Sequence, residues 1–374
     1  MPELSDRAKS TLMSPIAKQM ELARKLATSG IPVIDLTIGE TDFPVADDIK
    51  EAGIESIEQN LGRYTAANGI NELRERLARK YRTKPGKVTV SNGAKTILSS
   101  VFSCILSDGD EVILPIPSWP CYREMIHLCG AKDITVTCKE SDRYLLTVDK
   151  LQENLTPNTK AVILNSPCNP TGQIYTKREL KAVLDICVEN DIFLVFDAAY
   201  IDLSDAPSPA LLDHVIYVGS ASKSYAMSGW RIGWCICSDE LTAALSRYLN
   251  NCIGSPSGIS QQAMLKALDH IPEIEKEICT ERCSIVADAV NAAKGMHCLK
   301  PEGGLYVWVA LDHISDDVGF AKRLLEKEFV SVTPGTGFGL SGHFRIACTK
   351  DIPILLEGIA RAERCLKTAK RYLD

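Results

Sequence analysis

His-Val-Ile-Tyr-Val-Gly-Ser-Ala-Ser-Lys-Ser-Tyr-Ala-Met-Ser-Gly-Trp-Arg-Ile-Gly-Trp-Cys-Ile-Cys, residues 214–237, is the stretch on which the reading of this chain turns. Val215 to Val218 is a short, apolar, β-branched run, which reads as a buried strand. It ends in a turn of small residues, Gly219-Ser220-Ala221-Ser222, that delivers Lys223. Arg231 follows eight residues later, and a second apolar run opens behind it. An amine held at a strand end among hydroxyls, with a guanidinium close by, suits a Schiff-base site for a phosphorylated cofactor. The lysine attacks an aldehyde while Ser220, Ser222 and Arg231 hold a dianionic phosphate. Taken alone, the stretch reads equally well as a surface lysine in a serine-rich loop, so the rest of the chain decides.

Working outward, runs of the same kind occur at Lys87–Val90, Glu111–Leu114, Asp133–Val136, Ala161–Leu164 and Phe193–Phe196, and again at Ile232–Cys237. Helical patterns separate most of them, among them Asn71–Arg82, Ile97–Leu106 and 178–190. This predicts an α/β fold with a mostly parallel sheet and ligand residues just past its strand ends. Ser14-Pro15 opens an earlier helix closed by Gly30, with Ser14 as N-cap, and Ile31–Ile38 reads as a strand. Helices are expected again at Ser260–Asp269 and from Pro272 to about Gly295.

Several strand ends carry chemistry. Ser91-Asn-Gly-Ala94-Lys95-Thr96 is a strand-to-helix turn of small residues, whose exposed N–H groups and helix dipole make an anion cradle. Trp119 stands in a proline-rich loop after a strand, where a flat ring can support a flat ligand. Asp197 ends a buried strand, so its carboxylate needs a partner. Arg345, within His343–Ala347, reads on its own as a surface residue of a strand.

Composition sets outer limits. A chain of 374 residues that is 45% hydrophobic and 24% charged can bury a large core. Its net charge of −6 argues against bulk binding to nucleic acid or anionic membrane. No apolar run approaches the roughly 18 residues of a membrane span, and the N-terminus lacks the pattern of a signal peptide, so a cytoplasmic protein is expected. The 14 cysteines are scattered without a C-x-x-C pair, so buried thiols are expected rather than a structural metal.

The motifs together resemble the class I/II aminotransferases of the fold-type I pyridoxal-phosphate enzymes, the aspartate aminotransferase superfamily. The lysine stretch matches as S-x-S-K-x-x-x-M-x-G-W-R-I-G. Gly39-Glu-Thr-Asp-Phe-Pro44 resembles G-E-P-D-F-P, and Asn165-Ser-Pro-Cys-Asn169-Pro-Thr-Gly172 resembles N-P-x-N-P-T-G. Pro301-Glu-Gly-Gly-Leu-Tyr-Val-Trp308 and Pro334-Gly-Thr-Gly-Phe-Gly339 resemble the family's P-x-G-G-x-Y-x-W and P-G-x-x-F-G segments.

The resemblance implies pyridoxal 5'-phosphate joined to Lys223 as a Schiff base. Asp197 then pairs with the pyridinium, Asn169 and Tyr200 bond its phenolic oxygen, and Trp119 stacks on the ring. The phosphate falls to Ala94 and Lys95 through their backbone, to Ser220, Ser222 and Arg231, and to Tyr64 reaching across a homodimer interface. Gly39, Asn169 and Arg345 receive the substrate, and Lys223 moves the Cα proton while Asp197 and Tyr200 support it. An amino group thus passes from an L-amino acid to a 2-oxo acid. The implied organisation is a small domain built from 1–40 and 256–374 around a large cofactor-binding domain, 41–255.

The family often carries D-E-x-Y where this chain has Asp197-Ala-Ala-Tyr200-Ile-Asp202-Leu. That piece, with the G-W-C after Arg231, looks somewhat like capreomycidine-synthase-type enzymes. Those eliminate and cyclise a hydroxylated arginine, and here Glu40, Asp42 or Asp202 would take the guanidinium. A regulator in which this fold is fused to a DNA-binding domain is the non-enzyme alternative; it lacks a winged-helix segment here.

Overall fold

The computed structural model describes residues 2–5, 8–9 and 15–369; Ser14, the expected N-cap, lies outside them. The first helix, α1 (Pro15–Thr28), is followed by Gly30 at φ +83°, the left-handed value that lets the chain turn out of a helix. The strand expected over Ile31–Ile38 shrinks to β1 (Ile34–Asp35). Beyond it the backbone divides its bonds: Leu36 N donates to the Ser331 carbonyl, and the Leu36 carbonyl accepts from Ala347 N.

After helices α2 (Asp47–Glu58) and α3 (Asn71–Lys80), all seven expected strands form one sheet. They are β2 (Val88–Ser91), β3 (Glu111–Ile116), β4 (Lys132–Thr137), β5 (Thr159–Asn165), β6 (Phe193–Asp197), β7 (Val215–Ser220) and β8 (Gly233–Ile236), in the order β2-β8-β7-β6-β5-β3-β4. Strands β4, β3, β5, β6 and β7 run parallel, whereas β8 lies antiparallel to both β7 and β2. The reason is local. A parallel return needs a long crossover, and the segment from Ala221 to Ile232 contains no helix.

Both faces of this sheet are covered, which is why its strands read as unbroken apolar runs. Along β5, Ala161 and Ile163 pack with Ile97, Leu98 and Val101 of α4 (Ala94–Ile105). Val162 and Leu164 pack with Leu180 and Val183 of the opposite layer. The helices α5 (Cys121–Leu128), α6 (Val148–Glu153) and α7 (Lys177–Glu189) connect the parallel strands. A capping box starts α7: Thr176 Oγ1 accepts from Glu179 N while the Glu179 carboxylate accepts from Thr176 N. Such a cap contributes about 1 kcal/mol and fixes where the helix begins.

The chain then runs through α8 (Asp239–Cys252), α9 (Gly258–Ala267) and α10 (Glu273–Ala292). A second sheet follows, ordered β12-β13-β10-β9 and antiparallel throughout. Its strands are β9 (Met296–Cys298), β10 (Tyr306–Leu311), β12 (Thr333–Pro334) and β13 (His343–Ala347), packed with α11 (Asp317–Glu328) and α12 (Ile352–Ala369). One short strand, β11 (Val330–Ser331), pairs in parallel with β1, Ile34 opposite Val330. Leu36 enters the same core as Val286, Val307, Phe320, Phe344 and Leu355. Among the described residues no helix is long and apolar enough to cross a membrane.

Candidate active site

Three groups of polar residues converge where the large sheet's strands end against the second sheet. The first is a cradle at the start of α4. Gly233 pairs with Ser220 on one side and Ser91 on the other, and a Cβ on it would lie 2.4 Å from Ala94 N. Gly93 has φ +90°, and a Cβ there would meet the Arg231 guanidinium at 2.6 Å. The backbone of β8 and the arginine are therefore held against a helix N-terminus that only glycines admit. Arg231 gives one bond to the Ser228 carbonyl (2.6 Å) and forms no ion pair among the described residues. Ser220 and Ser222 are buried beside this cradle, and Ser220 Oγ accepts from Ser222 N. Free N–H donors, two hydroxyls and an unpaired guanidinium fit a phosphate dianion.

The second group surrounds Asp197. Its carboxylate is buried and has no cation partner among the described residues; Tyr122 Oη donates to Oδ2 at 2.6 Å and Ala199 N to Oδ1 at 2.9 Å. Burial pushes the Asp197 carboxyl above the usual carboxylate range, while those two bonds pull the other way. The Tyr122 ring meets the half-buried Trp119 edge-on at 5.3 Å. A buried acid without a cation, next to a flat indole, fits a protonated pyridine ring.

The third group is a chain of bonds between the two sheets. Arg345, buried on β13, donates to Asn169 Oδ1 (2.9 Å) and to the Thr37 carbonyl (2.6 Å). A guanidinium has no acceptor, so Asn169 must turn its oxygen to Arg345 and its NH2 to Tyr200 Oη, 3.3 Å away. Tyr200 Oη also contacts Tyr306 Oη at 3.1 Å. Burial raises the Tyr200 phenol well above its ordinary pKa. The Arg345 guanidinium carbon lies 4.2 Å over the Tyr306 ring, and its buried Nε has no hydrogen-bond partner among the described residues. A buried guanidinium facing no carboxylate among the described residues fits the carboxylate of a substrate.

Lys223, half-buried between these groups, donates from Nζ to the Gly39 carbonyl at 2.5 Å. Gly39 admits no side chain: a Cβ would lie 1.9 Å from Tyr306 Oη. The structure thus brings Lys223, Gly39, Asn169, Tyr200 and Arg345 together, with Asp197 and Trp119 linked through Tyr122, and Ala94, Ser220, Ser222 and Arg231 around the cradle. Lys95 follows Ala94 in the first turn of α4, its side chain exposed with Nζ 5.5 Å from the Trp119 ring centre. One expected residue stands apart: Tyr64 is 97% exposed.

The carboxylates considered for a guanidinium substrate are already engaged. Asp202 pairs with Lys80 (2.8 Å), Asp42 with Arg282 (2.6 Å), and the Glu40 carboxylate accepts from the Ser228 hydroxyl. Beyond Trp119 and Phe338 lies a cavity of about 920 Å³, bordered by Lys95, Ser99, Arg123 and Tyr248. Tyr122, Tyr306 and the Thr37 carbonyl carry no role in the sequence reading. Tyr122 left one clue: a tyrosine on the buried stripe of α5 beside Met125 and Ile126 needs a partner for its hydroxyl.

This arrangement is that of a Schiff-base enzyme for a phosphorylated pyridine cofactor. A family model described as aminotransferase class I and II matches residues 31–359, and the chain belongs to that family. It is a pyridoxal-phosphate-dependent aminotransferase, moving an amino group from an L-amino acid to a 2-oxo acid. A probable aspartate/prephenate aminotransferase of Aquifex aeolicus is 33% identical over 97% of this chain and 98% of its own. An aspartate aminotransferase of Bacillus sp. YM-2 is 32% identical over 97% and 99%. Among solved structures, a Thermus thermophilus aspartate aminotransferase double mutant superposes with TM-score 0.93, at 32% identity over 98% of this chain and 100% of its own. These relatives do not favour the elimination and cyclisation alternative, and the internal pairing of Asp202 and Asp42 supplies a physical reason.

Proposed function

We propose that the chain transaminates an acidic amino acid, aspartate or glutamate. The observation that carries this is a pair of cations without carboxylate partners among the described residues. Arg345 lies at the heart of the site and Lys95 at its rim, beside Trp119. Arg345 suits the α-carboxylate by its planar fork, and Lys95 suits a second carboxylate at the end of the side chain. The names of the relatives support the same class. Prephenate is a second amino acceptor, favoured by the name of the Aquifex relative.

In this reading, pyridoxal phosphate supplies an aldehyde for amine exchange and a cationic ring that accepts electrons released at Cα. Ala94 and Lys95 N–H groups, Ser220, Ser222 and Arg231 anchor the phosphate. Asp197, oriented by Tyr122 and Ala199 N–H, holds the proton on the ring nitrogen. Asn169 and Tyr200 donate towards the phenolic oxygen, and Trp119 supports the ring's face. Gly39, whose missing side chain makes way for the Tyr306 hydroxyl, meets the substrate through its backbone, and its carbonyl parks the Lys223 amine. Once released, Lys223 Nζ removes the Cα proton and returns it elsewhere as general base and acid. The exposed Tyr64 completes the phosphate site of a second, identical subunit. The protein works in the cytoplasm, with 1–40 and 256–374 forming the small domain beside 41–255.

The test is a half-reaction. Loaded enzyme is mixed with single amino acids without any 2-oxo acid. Aspartate or glutamate should yield one equivalent of 2-oxo acid per site and the aminated cofactor, and leucine or arginine should not. Equal turnover of leucine and aspartate would overturn the acidic-substrate reading. In Lys95→Ala, aspartate should lose about tenfold in kcat/KM against an unchanged neutral amino acid, the size of one exposed charge contact.

A further inference from the structure

Tyr306 touches more of the site than any role so far requires. It is the first residue of β10, almost fully buried, and it belongs to the second sheet, whereas Lys223, Asn169 and Tyr200 lie in the turns that follow strands of the first. Its ring carries the Arg345 guanidinium at 4.2 Å, its hydroxyl meets Tyr200 Oη at 3.1 Å, and its Oη fills the space a side chain at Gly39 would need. The two tyrosine rings meet edge-on at 5.5 Å, so neither hydroxyl can swing away without moving the other ring.

We infer that Tyr306 is a positioning residue that aims the Tyr200 proton at the cofactor and sets the plane of the Arg345 guanidinium. The inference rests on the reading that Tyr200 faces the cofactor's phenolic oxygen. The proton arithmetic leads to it. Arg345 fixes the Asn169 amide so that its NH2 donates to Tyr200. Tyr200 has one proton, and two arrangements with Tyr306 are open. If Tyr200 donates to Tyr306, nothing remains for the cofactor. If Tyr306 donates to Tyr200, then Tyr200 accepts twice and its own proton points at a third oxygen. Tyr200 is the sole hydrogen-bond partner of Tyr306 Oη among the described residues, and an anionic phenolic oxygen on the cofactor selects the second arrangement. Each donation polarises the next, so the Tyr306 hydroxyl strengthens a bond it does not itself make. The ring has a separate task. A planar cation lying on an aromatic face resists tilting, and tilting would spoil a two-point grip on a carboxylate.

The two tasks separate by substitution. Tyr306→Phe keeps the ring and deletes the hydroxyl; Tyr306→Leu deletes both. Three readouts on loaded enzyme without substrate turnover serve: the pH midpoint of the cofactor's visible absorbance change, the affinity for the unreactive dicarboxylate maleate, and far-UV circular dichroism to confirm folding. A donor to the phenolic oxygen favours its more anionic state, so weakening it raises the midpoint. Tyr200→Phe should raise it by about one pH unit or more, and Tyr306→Phe by roughly a third to a half of a unit, as expected of an indirect effect. Maleate affinity should stay within about twofold in Tyr306→Phe and fall about tenfold in Tyr306→Leu, the range of one cation–ring contact. An unmoved midpoint in Tyr306→Phe beside a raised one in Tyr200→Phe overturns the inference while leaving the site assignment standing. An unmoved midpoint in Tyr200→Phe overturns the placement of Tyr200 and the inference with it. Equal maleate loss in both Tyr306 variants overturns the role given to the ring.

Discussion

Replacing Tyr122 by Phe removes one hydrogen bond and little else. The ring stays against Trp119, and what disappears is the 2.6 Å bond from Oη to Asp197 Oδ2. A bond from a hydroxyl to an ionised acid contributes about 1.5–3 kcal/mol, roughly twice the neutral case. Because it favours the charged form, its loss raises the Asp197 pKa further. Burial already holds that acid above its usual range. An acid whose folded pKa exceeds its unfolded value binds protons more readily when folded. Stability therefore falls as pH rises from the unfolded pKa through the folded one. In cofactor-free protein the variant should lose the full bond at the high end of the pH range, where the acid is charged, and less towards the low end, as protonation of the acid relieves the unpaired charge. For a chain of this length, about 1–1.5 °C of Tm accompanies each kcal/mol. The expected drop is about 2–4 °C at the higher pH and about 1 °C at the lower. Thermal scans across that range decide it. Cofactor loading puts a ring cation against Asp197, lowers its pKa and should flatten the pH dependence of both proteins. A Tm loss that is the same at both pH values, or blind to cofactor, would refute the argument.

Other outcomes follow from the same geometry. Lys223→Ala should abolish the visible absorbance of the lysine-bound cofactor together with the half-reaction; a retained band would remove Lys223 from its role. Arg345→Lys keeps the charge but gives up the bonds to Asn169 and Thr37, so the amino acid KM should rise about 100-fold or more while the lysine-bound cofactor is retained. Gly93→Ala forces a Cβ to within 2.6 Å of the Arg231 guanidinium on a backbone at φ +90°. Cofactor affinity, read by equilibrium dialysis, should fall about tenfold or more.

The large sheet was legible because its strands are buried on both faces, so burial alone marks Val215–Val218 or Phe193–Phe196 against the helices between them. The reversed direction of β8 was not, since nothing in Ile232–Cys237 reports which neighbour it pairs with. Two-residue strands such as β11 and β12 are too short to carry a period and exist through their partners. Residues whose proposed part rests on their own chemistry just past a strand end, Asp197, Asn169 and Lys223, stood out. Residues that act through another side chain did not: Tyr122 and Tyr306 gain their meaning from Asp197, Tyr200 and Arg345, which are 75, 106 and 39 positions away. The acidic residues of the 40–42 and 202 turns looked available in sequence and proved to be engaged, Asp202 by Lys80, Asp42 by Arg282 and Glu40 by the Ser228 hydroxyl.

The pairing of β1 with β11 has a consequence for the order of events during synthesis. Arg345 gives a bond to the Thr37 carbonyl across 308 positions, and Thr349 Oγ1 reaches the Ile38 carbonyl across 311. At about 5–20 residues per second on the ribosome, the segment around Leu36 waits at least about 15 seconds for the strand that will cover it. During that interval the large sheet can assemble, Lys223 included, but the substrate grip cannot. A nascent chain stalled before residue 345 would therefore lack the proposed substrate grip. Stalled before residue 330, it would also expose the edge of Ile34–Leu36 to any other unpaired strand, or to a chaperone.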